Sequence, residues 1–203
     1  MHKRVLDSDD VSRVIARLAH EIVDGVAKDA RGPLQLDAST LALVGIRTGG
    51  AHIAHRLARE IGKLRSDRTD QREPPVGILD ITLYRDDVLL AGNPVPLLRG
   101  TEIELEVEGR AVVLVDDVLY TGRTVRAALD ALLDLGRPAC VRLAVLVDRG
   151  LRELPVGADF VGRAIETTRD EHVEVRLTEE GAASDEVTVS VQSERRVTGG
   201  GAR

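Results

Sequence analysis

Aromatic residues are nearly absent from the sequence: of 203 residues, none is Trp, one is Phe and two are Tyr. The hydrophobic core must therefore be built from Leu, Val, Ile and Ala. Aromatic platforms of the kind on which proteins stack single-stranded bases are not expected. Cys140 is the only cysteine, which excludes an internal disulfide and is typical of a reducing compartment.

Long apolar runs and an excess of positive charge are missing as well. No run approaches the ~20 apolar residues of a membrane span, and the amino-terminal residues lead into a polar stretch rather than a signal peptide. The net charge of −6 argues against a globally basic nucleic-acid binder. We therefore expect a cytosolic protein with one domain over residues 1–194 and a flexible tail over residues 195–203.

Helical and strand patterns alternate along the chain. Helical spacing predicts a helix that begins at Ser8 or Asp9, a second after Gly50 and a third after Thr124. Apolar runs predict strands, and the residues between them are predicted to be loops, of which residues 85–100 form a mobile lid. Alternating strands and helices predict an α/β fold with a mostly parallel sheet and sites at the carboxyl ends of its strands. The predicted strands are residues 40–46, 76–84, 103–107, 111–115 and 141–147, with short late strands near residues 161, 173–177 and 187–191.

Residues 112–124 carry the strongest functional signal. A buried strand ends in two adjacent carboxylates, Asp116 and Asp117, and a short turn then opens a helix. The amides of the helix start and the hydroxyls of Thr121 and Thr124 are suited to surround a phosphate, and Gly122 permits close backbone approach. The two carboxylates are expected to accept hydrogen bonds from ribose hydroxyls. The other residues of this predicted phosphate-binding segment are Val112, Val113, Leu114, Val115, Val118, Leu119, Tyr120 and Arg123.

The same segment has a purely structural interpretation and an ATPase interpretation. In the structural one, the acids cap a turn and the threonines only start a helix, but two like charges at a buried strand end are costly without a ligand or a cation. In an ATPase, four aliphatic residues followed by two acids would form a Walker B strand. That class also needs a P-loop, and residues 45–50 continue into Ala51 and His52 instead of Lys-Ser/Thr, which excludes it.

Residues 112–124 resemble the ribose-phosphate signature of the type I phosphoribosyltransferases. Residues 80–87, 115–126 and 143–150 are similar to one branch of that family, and the likeness runs from about Arg13 to Glu171. Members of that branch regulate the pyrimidine biosynthetic operon by binding its mRNA, and many convert uracil to UMP. The resemblance implies the type I fold with a small hood and a lid hairpin, 5-phosphoribosyl 1-pyrophosphate (PRPP) and uracil as substrates, UMP and UTP as sensed nucleotides, and a homodimer or higher oligomer.

Two further segments are candidates for binding pyrophosphate. Arg47, Thr48, Gly49 and Gly50 follow a strand and begin a helix, so their amides are suited to bind a second anion, although a plain strand-to-helix turn has the same pattern. The resemblance implies that they hold pyrophosphate, and relatives usually carry Thr-Arg-Gly where this chain has Thr-Gly-Gly. It also implies that Arg85, in the lid, contacts the pyrophosphate. Arg85, Asp116 and Asp117 are therefore the predicted catalytic residues.

The base is expected next to the phosphate-binding segment. Asp148 and Arg149 end the neighbouring predicted strand, where the Arg149 side chain could meet a uracil carbonyl; a structural ion pair is the alternative. His52 and His55 share a helix face without a third ligand, so no metal site built by protein alone is expected. Mg²⁺ is expected to arrive with PRPP, because it prefers phosphate oxygens and water.

RNA binding is the second predicted function, and the family resemblance implies a basic surface shared across a dimer. Gly157 and Leu151 stand where relatives usually have Arg and His, and residues 163–169 also differ from the family pattern. Scattered surface arginines are the alternative. A nucleotide-sensing regulator with weak or no catalysis, and a salvage enzyme for another base, stay open. The predicted RNA-binding residues are Arg13, Arg17, His20, Arg137, Arg152, Arg163 and Arg169.

Overall fold

The computed structural model describes residues 2–31, 40–65, 73–84 and 106–191. These residues form eight β-strands, three α-helices and two short 3₁₀ helices. The strands are β1 (His2–Leu6), β2 (Leu41–Ile46), β3 (Val76–Leu79), β4 (Ala111–Leu119), β5 (Cys140–Asp148), β6 (Phe160–Ala164), β7 (Glu171–Arg176) and β8 (Glu186–Val191). The α-helices are α1 (Ser8–Arg31), α2 (Gly49–Leu64) and α3 (Arg123–Asp134), and the 3₁₀ helices are Thr82–Tyr84 and Thr178–Glu180.

The main sheet has five parallel strands in the order β3-β2-β4-β5-β6. Successive side chains of β4 point to opposite faces: Val113 and Val115 pack in the core under α1 and α2, while Val112 and Leu114 pack in the core under α3. Both faces of the sheet are therefore buried, which explains why its strands are continuous apolar runs. The predicted parallel sheet flanked by helices is confirmed.

A second sheet is antiparallel and has the order β1-β8-β7. It brings the beginning of the chain, at Lys3, opposite Val189 near the end of the described residues. The sequence pattern did not predict β1, because between Lys3 and Leu6 only Leu6 is buried and because the partner strand lies far away in the chain. This small sheet, with the turn between β7 and β8, is the hood.

Three predicted boundaries were wrong. Helix α1 continues to Arg31, so residues 28–31 are helical instead of a loop. Strand β3 ends at Leu79, because the Asp80 carboxylate accepts hydrogen bonds from the amide (3.0 Å) and hydroxyl (2.5 Å) of Thr82 and turns the chain. Strand β4 runs four residues past Val115.

Several predicted features lie outside the described residues: the loops over residues 32–39 and 66–72, the lid with Arg85, most of the strand over residues 103–107, and the tail. No helix in the described ranges is both long enough and apolar enough to cross a membrane.

Arg56 connects α2, which packs on the main sheet, to the hood through hydrogen bonds. Its guanidinium donates to the Glu179 carboxylate (2.8 Å), to the Asp185 carboxylate (3.0 Å) and to the hydroxyl of Thr178 (3.2 Å). The arginine side chain is only 14% exposed. These hydrogen bonds lower the pKa of Glu179 to about 2 and also lower the pKa of Asp185.

Candidate active site at the carboxyl ends of the parallel strands

The phosphate loop, residues 120–124, connects β4 to α3 as predicted. Gly122 is the N-cap residue and has a φ of +91°, in the left-handed region that favours glycine. A Cβ at this position would also lie 3.3 Å from Val156. In the first turn of α3, the amide of Arg123 donates to the hydroxyl of Thr121 (3.3 Å). The amides of Thr124 and Val125 have no partners within the helix, so they are suited to an anion at the loop.

The chain segment after β5 packs against this loop and fixes its shape. The carbonyl oxygen of Thr121 accepts a hydrogen bond from the amide of Glu153 (3.0 Å), whose carboxylate pairs with Arg123 (2.8 Å). The guanidinium of Arg152 donates to the carbonyl oxygen of Tyr120 (2.8 Å). The phosphate loop therefore has a preformed conformation that does not depend on its own residues alone.

Asp116 and Asp117 lie within β4 and not in a loop after it. The Asp116 carboxylate accepts a hydrogen bond from the Asp117 amide (3.0 Å), and the Asp117 carboxylate accepts one from the Val118 amide (2.9 Å). Asp116 is 5% exposed. Burial, together with the neighbouring charge of Asp117, raises the pKa of Asp116 well above its ordinary value. Adjacent strand residues point to opposite faces of the sheet, yet the two carboxylates remain close enough to interact.

The predicted pyrophosphate-binding residues lie directly beside Asp117. The peptide bond between Arg47 and Thr48 is cis, and α2 begins at Gly49. A Cβ at Gly49 would lie 2.8 Å from Oδ2 of Asp117. A Cβ at Gly50 would overlap the Val115 carbonyl oxygen of β4. Two glycines thus let the start of α2 approach the acids of β4 closely, which brings both candidate anion sites to one edge of the sheet.

A pocket of about 370 Å³ lies at the end of β5, and Asp148 and Arg149, the predicted base-binding residues, are among the residues that line it. The Asp148 carboxylate accepts hydrogen bonds from the Gly150 amide (2.9 Å) and from Arg152 (2.6 Å). Asp148 therefore does form an ion pair at this strand end, but its cation is Arg152 instead of Arg149. The other residues that line the pocket are Gly150, Leu151, Ala164, Ile165, Glu166 and Thr167.

The Arg149 side chain is 5% exposed, and its donors are directed at protein groups. Nε donates to the hydroxyl of Thr167 (3.1 Å), and Nη2 donates to the carbonyl oxygens of Thr168 (3.0 Å) and Glu171 (2.7 Å). Its Cζ atom lies 4.0 Å from the ring centroid of Tyr120. The sequence offered no signal for these partners, which lie 18 to 22 residues further along the chain.

The predicted RNA-binding residues do not all come together. Arg17 donates to the carbonyl oxygens of Val161 (3.2 Å) and Gly162, directly before the exposed Arg163. Arg137 is exposed but lies before the amino end of β5, where its carbonyl oxygen accepts the Gly109 amide (2.9 Å).

The remaining residues of that predicted set differ in their partners. Arg13 pairs with Asp10 (2.5 Å), and Nδ1 of His20 lies 2.8 Å from the Ala16 carbonyl oxygen. Arg169 is exposed, whereas Arg152 is committed to Asp148 and to main-chain oxygens. Across the described ranges, no three His, Cys, Asp or Glu side chains cluster in a way that could hold a metal ion.

The sequence matches the phosphoribosyl transferase domain family over residues 2–180. Its fold is shared with the hypoxanthine phosphoribosyltransferase of Trypanosoma cruzi, with a TM-score of 0.64 and 19% identity over 93% of this chain and 96% of that one. A hypoxanthine phosphoribosyltransferase from Staphylococcus aureus superposes with a TM-score of 0.57 and 17% identity, covering 82% of this chain and 79% of that one. The chain is a phosphoribosyltransferase, and the predicted fold is confirmed.

More similar relatives narrow the family. The "Bifunctional protein PyrR" of Roseiflexus sp. (strain RS-1) is 50% identical over 187 residues, which are 92% of this chain and 94% of the relative. The protein of the same name from Thermus aquaticus is 51% identical, over 86% of this chain and 88% of the relative. The chain belongs to the PyrR family, which confirms the branch that its motifs resemble.

Proposed function

We propose that this chain transfers the phosphoribosyl group of PRPP to uracil, giving UMP and pyrophosphate, and regulates a pyrimidine operon by binding its mRNA when UMP or UTP is bound. One observation carries the catalytic part. Two helix starts whose amides suit anions, at Gly49 and after Gly122, lie at the carboxyl ends of the adjacent strands β2 and β4, and Asp117 lies beside the first of them. PRPP has the matching chemistry, since it carries a phosphate and a pyrophosphate on either side of a ribose.

In the proposed reaction, N1 of uracil bonds to the anomeric carbon, the bond from that carbon to the pyrophosphate oxygen breaks, and the N1 proton passes to solvent. The phosphate loop holds the 5-phosphate, and residues 47–50, with Arg85 of the lid, hold the departing pyrophosphate. Asp116 and Asp117 orient the ribose and oppose the positive charge that develops on the sugar. The chain supplies positioning and electrostatics, and we assign no general base.

Mg²⁺ is proposed to enter as part of the substrate. It coordinates phosphate oxygens and keeps several waters, so it does not need a cage of protein ligands. The chemistry of the site fits a cation, because Asp116 is buried and the charge of Asp117 raises its pKa. A divalent ion on the pyrophosphate would lower the cost of ionising both acids at once.

The test is formation of UMP from uracil and PRPP with Mg²⁺, run beside cytosine, orotate, hypoxanthine and adenine. We expect activity with uracil alone, and a loss of at least about a hundredfold when Asp116 and Asp117 are both replaced by Asn. Asp130→Asn is the control, since Asp130 is exposed on α3 and pairs with Arg126 (3.1 Å). Equal activity of the double variant and the wild type would contradict the role of the acids, and activity with another base would contradict the assignment of uracil.

A nucleotide-sensing regulator with little catalysis is the second candidate. Gly49 favours it, because relatives usually have an arginine there and the Asp117 carboxylate occupies the space that such a side chain would cross. Binding of UMP without any transfer to uracil would select this candidate. Both candidates share the remaining proposals: a single domain over residues 1–194, a homodimer or higher oligomer, a cytosolic location, and an RNA surface around Arg17 and Arg163.

A further inference from the structure

Arg149 carries a buried positive charge. Its hydrogen bonds end on one hydroxyl and two carbonyl oxygens, those of Thr167, Thr168 and Glu171. Among the residues that the structure describes, no carboxylate accepts a hydrogen bond from it, and the Glu171 carboxylate is occupied by the amide of Thr168 (2.8 Å). The amide of Thr168 and, to a smaller extent, the charge of Arg149 lower the pKa of Glu171, so this carboxylate is a nearby counter-charge that does not bind the guanidinium directly. A phosphate in the adjacent loop would add a further negative charge close to Arg149.

The same residue joins three parts of the site. Its amide donates to the carbonyl oxygen of Leu119 (3.1 Å) at the end of β4, and its guanidinium lies over the ring of Tyr120 in the phosphate loop. Its own carbonyl oxygen accepts the hydroxyl of Thr167 (3.1 Å), which lines the pocket at the end of β5. Its bond to Glu171 reaches the first residue of β7 in the hood.

Tyr120 is held on both sides. Arg152 binds its carbonyl oxygen at 2.8 Å, and Arg149 lies 4.0 Å from the centroid of its ring. A cation over an aromatic face is attractive, and the attraction grows when water is excluded. A change in the phosphate loop that moves this ring therefore changes the surroundings of the Arg149 guanidinium, and with them the wall of the pocket formed around Thr167.

We propose that Arg149 is a positioning residue that couples the phosphate loop to the base pocket, so that a bound sugar phosphate raises the affinity for uracil. This inference rests on the proposed function, because it takes the phosphate loop and the pocket as the sites of the sugar phosphate and the base. In this proposal the Arg149 side chain contacts protein groups, whereas the sequence suggested that it contacts a uracil carbonyl.

The experiment measures the Kd of uracil by calorimetry without and with saturating ribose 5-phosphate. In the wild type we expect ribose 5-phosphate to lower this Kd about tenfold, within the usual range of coupling between sites. Arg149→Lys keeps the charge but loses the planar fork, and Tyr120→Leu removes the ring. Each should reduce the enhancement below about twofold, whereas Tyr120→Phe keeps the ring face and should retain it.

Arg142→Lys is the matched control, since Arg142 lies on β5, the strand that Arg149 directly follows, is about one-third exposed and pairs with Asp159 (3.1 Å). It should keep the full enhancement. If Arg149→Lys does not fold, Tyr120→Leu alone decides. Wild-type enhancement in Arg149→Lys or Tyr120→Leu would overturn the coupling, as would a wild type that binds ribose 5-phosphate without any effect on uracil. A wild type that does not bind ribose 5-phosphate at all would instead overturn the proposed function, and the coupling with it.

Discussion

Replacing Arg56 by Met should destabilise the protein by about 3 kcal/mol. The change removes the cation that joins α2 to the hood and leaves the carboxylates of Glu179 and Asp185 side by side, with Asp185 only 7% exposed. Loss of one partner from a buried ion pair usually costs about 3–5 kcal/mol, and the 32% exposure of Glu179 places this case at the lower end. For a chain of this size, about 3 kcal/mol corresponds to a decrease in Tm of about 6–12 °C.

The stabilisation that Arg56 provides should depend on pH, in a direction set by the pKa of Glu179. Arg56 lowers the folded-state pKa of Glu179 to about 2 from its ordinary value of 4.5. A lowered folded-state pKa stabilises the protein above the unfolded-state pKa, and that stabilisation is lost as the pH falls through the folded-state value. The free energies of unfolding of the wild type and of Arg56→Met, measured with urea, should therefore show their largest difference at about pH 7. This difference should narrow as the pH falls from about 4.5 towards 2.

Arg176→Met is the control for this prediction. Arg176 also binds two carboxylates, those of Glu174 (2.9 Å) and Glu186 (3.2 Å), but its side chain is 45% exposed. Exposed pairs contribute little, so this variant should stay within about 0.5 kcal/mol of the wild type. Equal losses in the two variants, or a difference between wild type and Arg56→Met that does not change with pH, would show that the hood is not held by the Arg56 cluster.

Three further predictions concern the site. Gly50→Ala should raise the KM for PRPP about tenfold, because the new Cβ meets the Val115 carbonyl oxygen, whereas Gly157→Ala, with nothing within 4 Å, should leave it unchanged. Asp116→Asn should raise the Tm of the free protein at about pH 7 while weakening PRPP binding. The pKa of Asp116 is raised in the folded protein, so its ionisation opposes folding as the pH rises above its unfolded-state pKa. An unchanged Tm would contradict this reasoning. Replacing Arg17 and Arg163 by Glu should lower RNA affinity and reduce its salt dependence in a filter-binding titration, and an unchanged salt slope would remove both residues from the RNA surface.

The phosphate loop was predictable from the sequence because its parts are local. The apolar run before Asp116, the glycine at position 122 and the helical spacing after Thr124 lie within one short segment, and each has a direct structural consequence. The orientation of the two acids was not predictable in the same way. It depends on β4 continuing to Leu119, and that continuation is set by pairing with β5, where Val118 lies opposite Val147.

The roles of the arginines could not be predicted, because they depend on partners that are distant in the chain. Arg56, Arg149 and Arg152 resemble other surface arginines in the sequence, yet each is largely buried and binds groups from separate segments. The ion pair considered from the sequence joined Asp148 to Arg149, whereas the structure joins Asp148 to Arg152. Buried guanidinium groups therefore account for most of what the motif analysis missed around the site.

The hydrogen bonds of Arg17 have a consequence for how the main sheet is protected from strand addition by another chain. Within the described residues, β6 is one of the two outermost strands of the main sheet, and an outermost strand with free carbonyl oxygens is a template on which another chain can add a strand. Arg17 reaches from α1 to the carbonyl oxygens of Val161 and Gly162, so a charged side chain of the protein itself already occupies those acceptors. Another chain could add a strand there only after displacing Arg17 from those carbonyl oxygens.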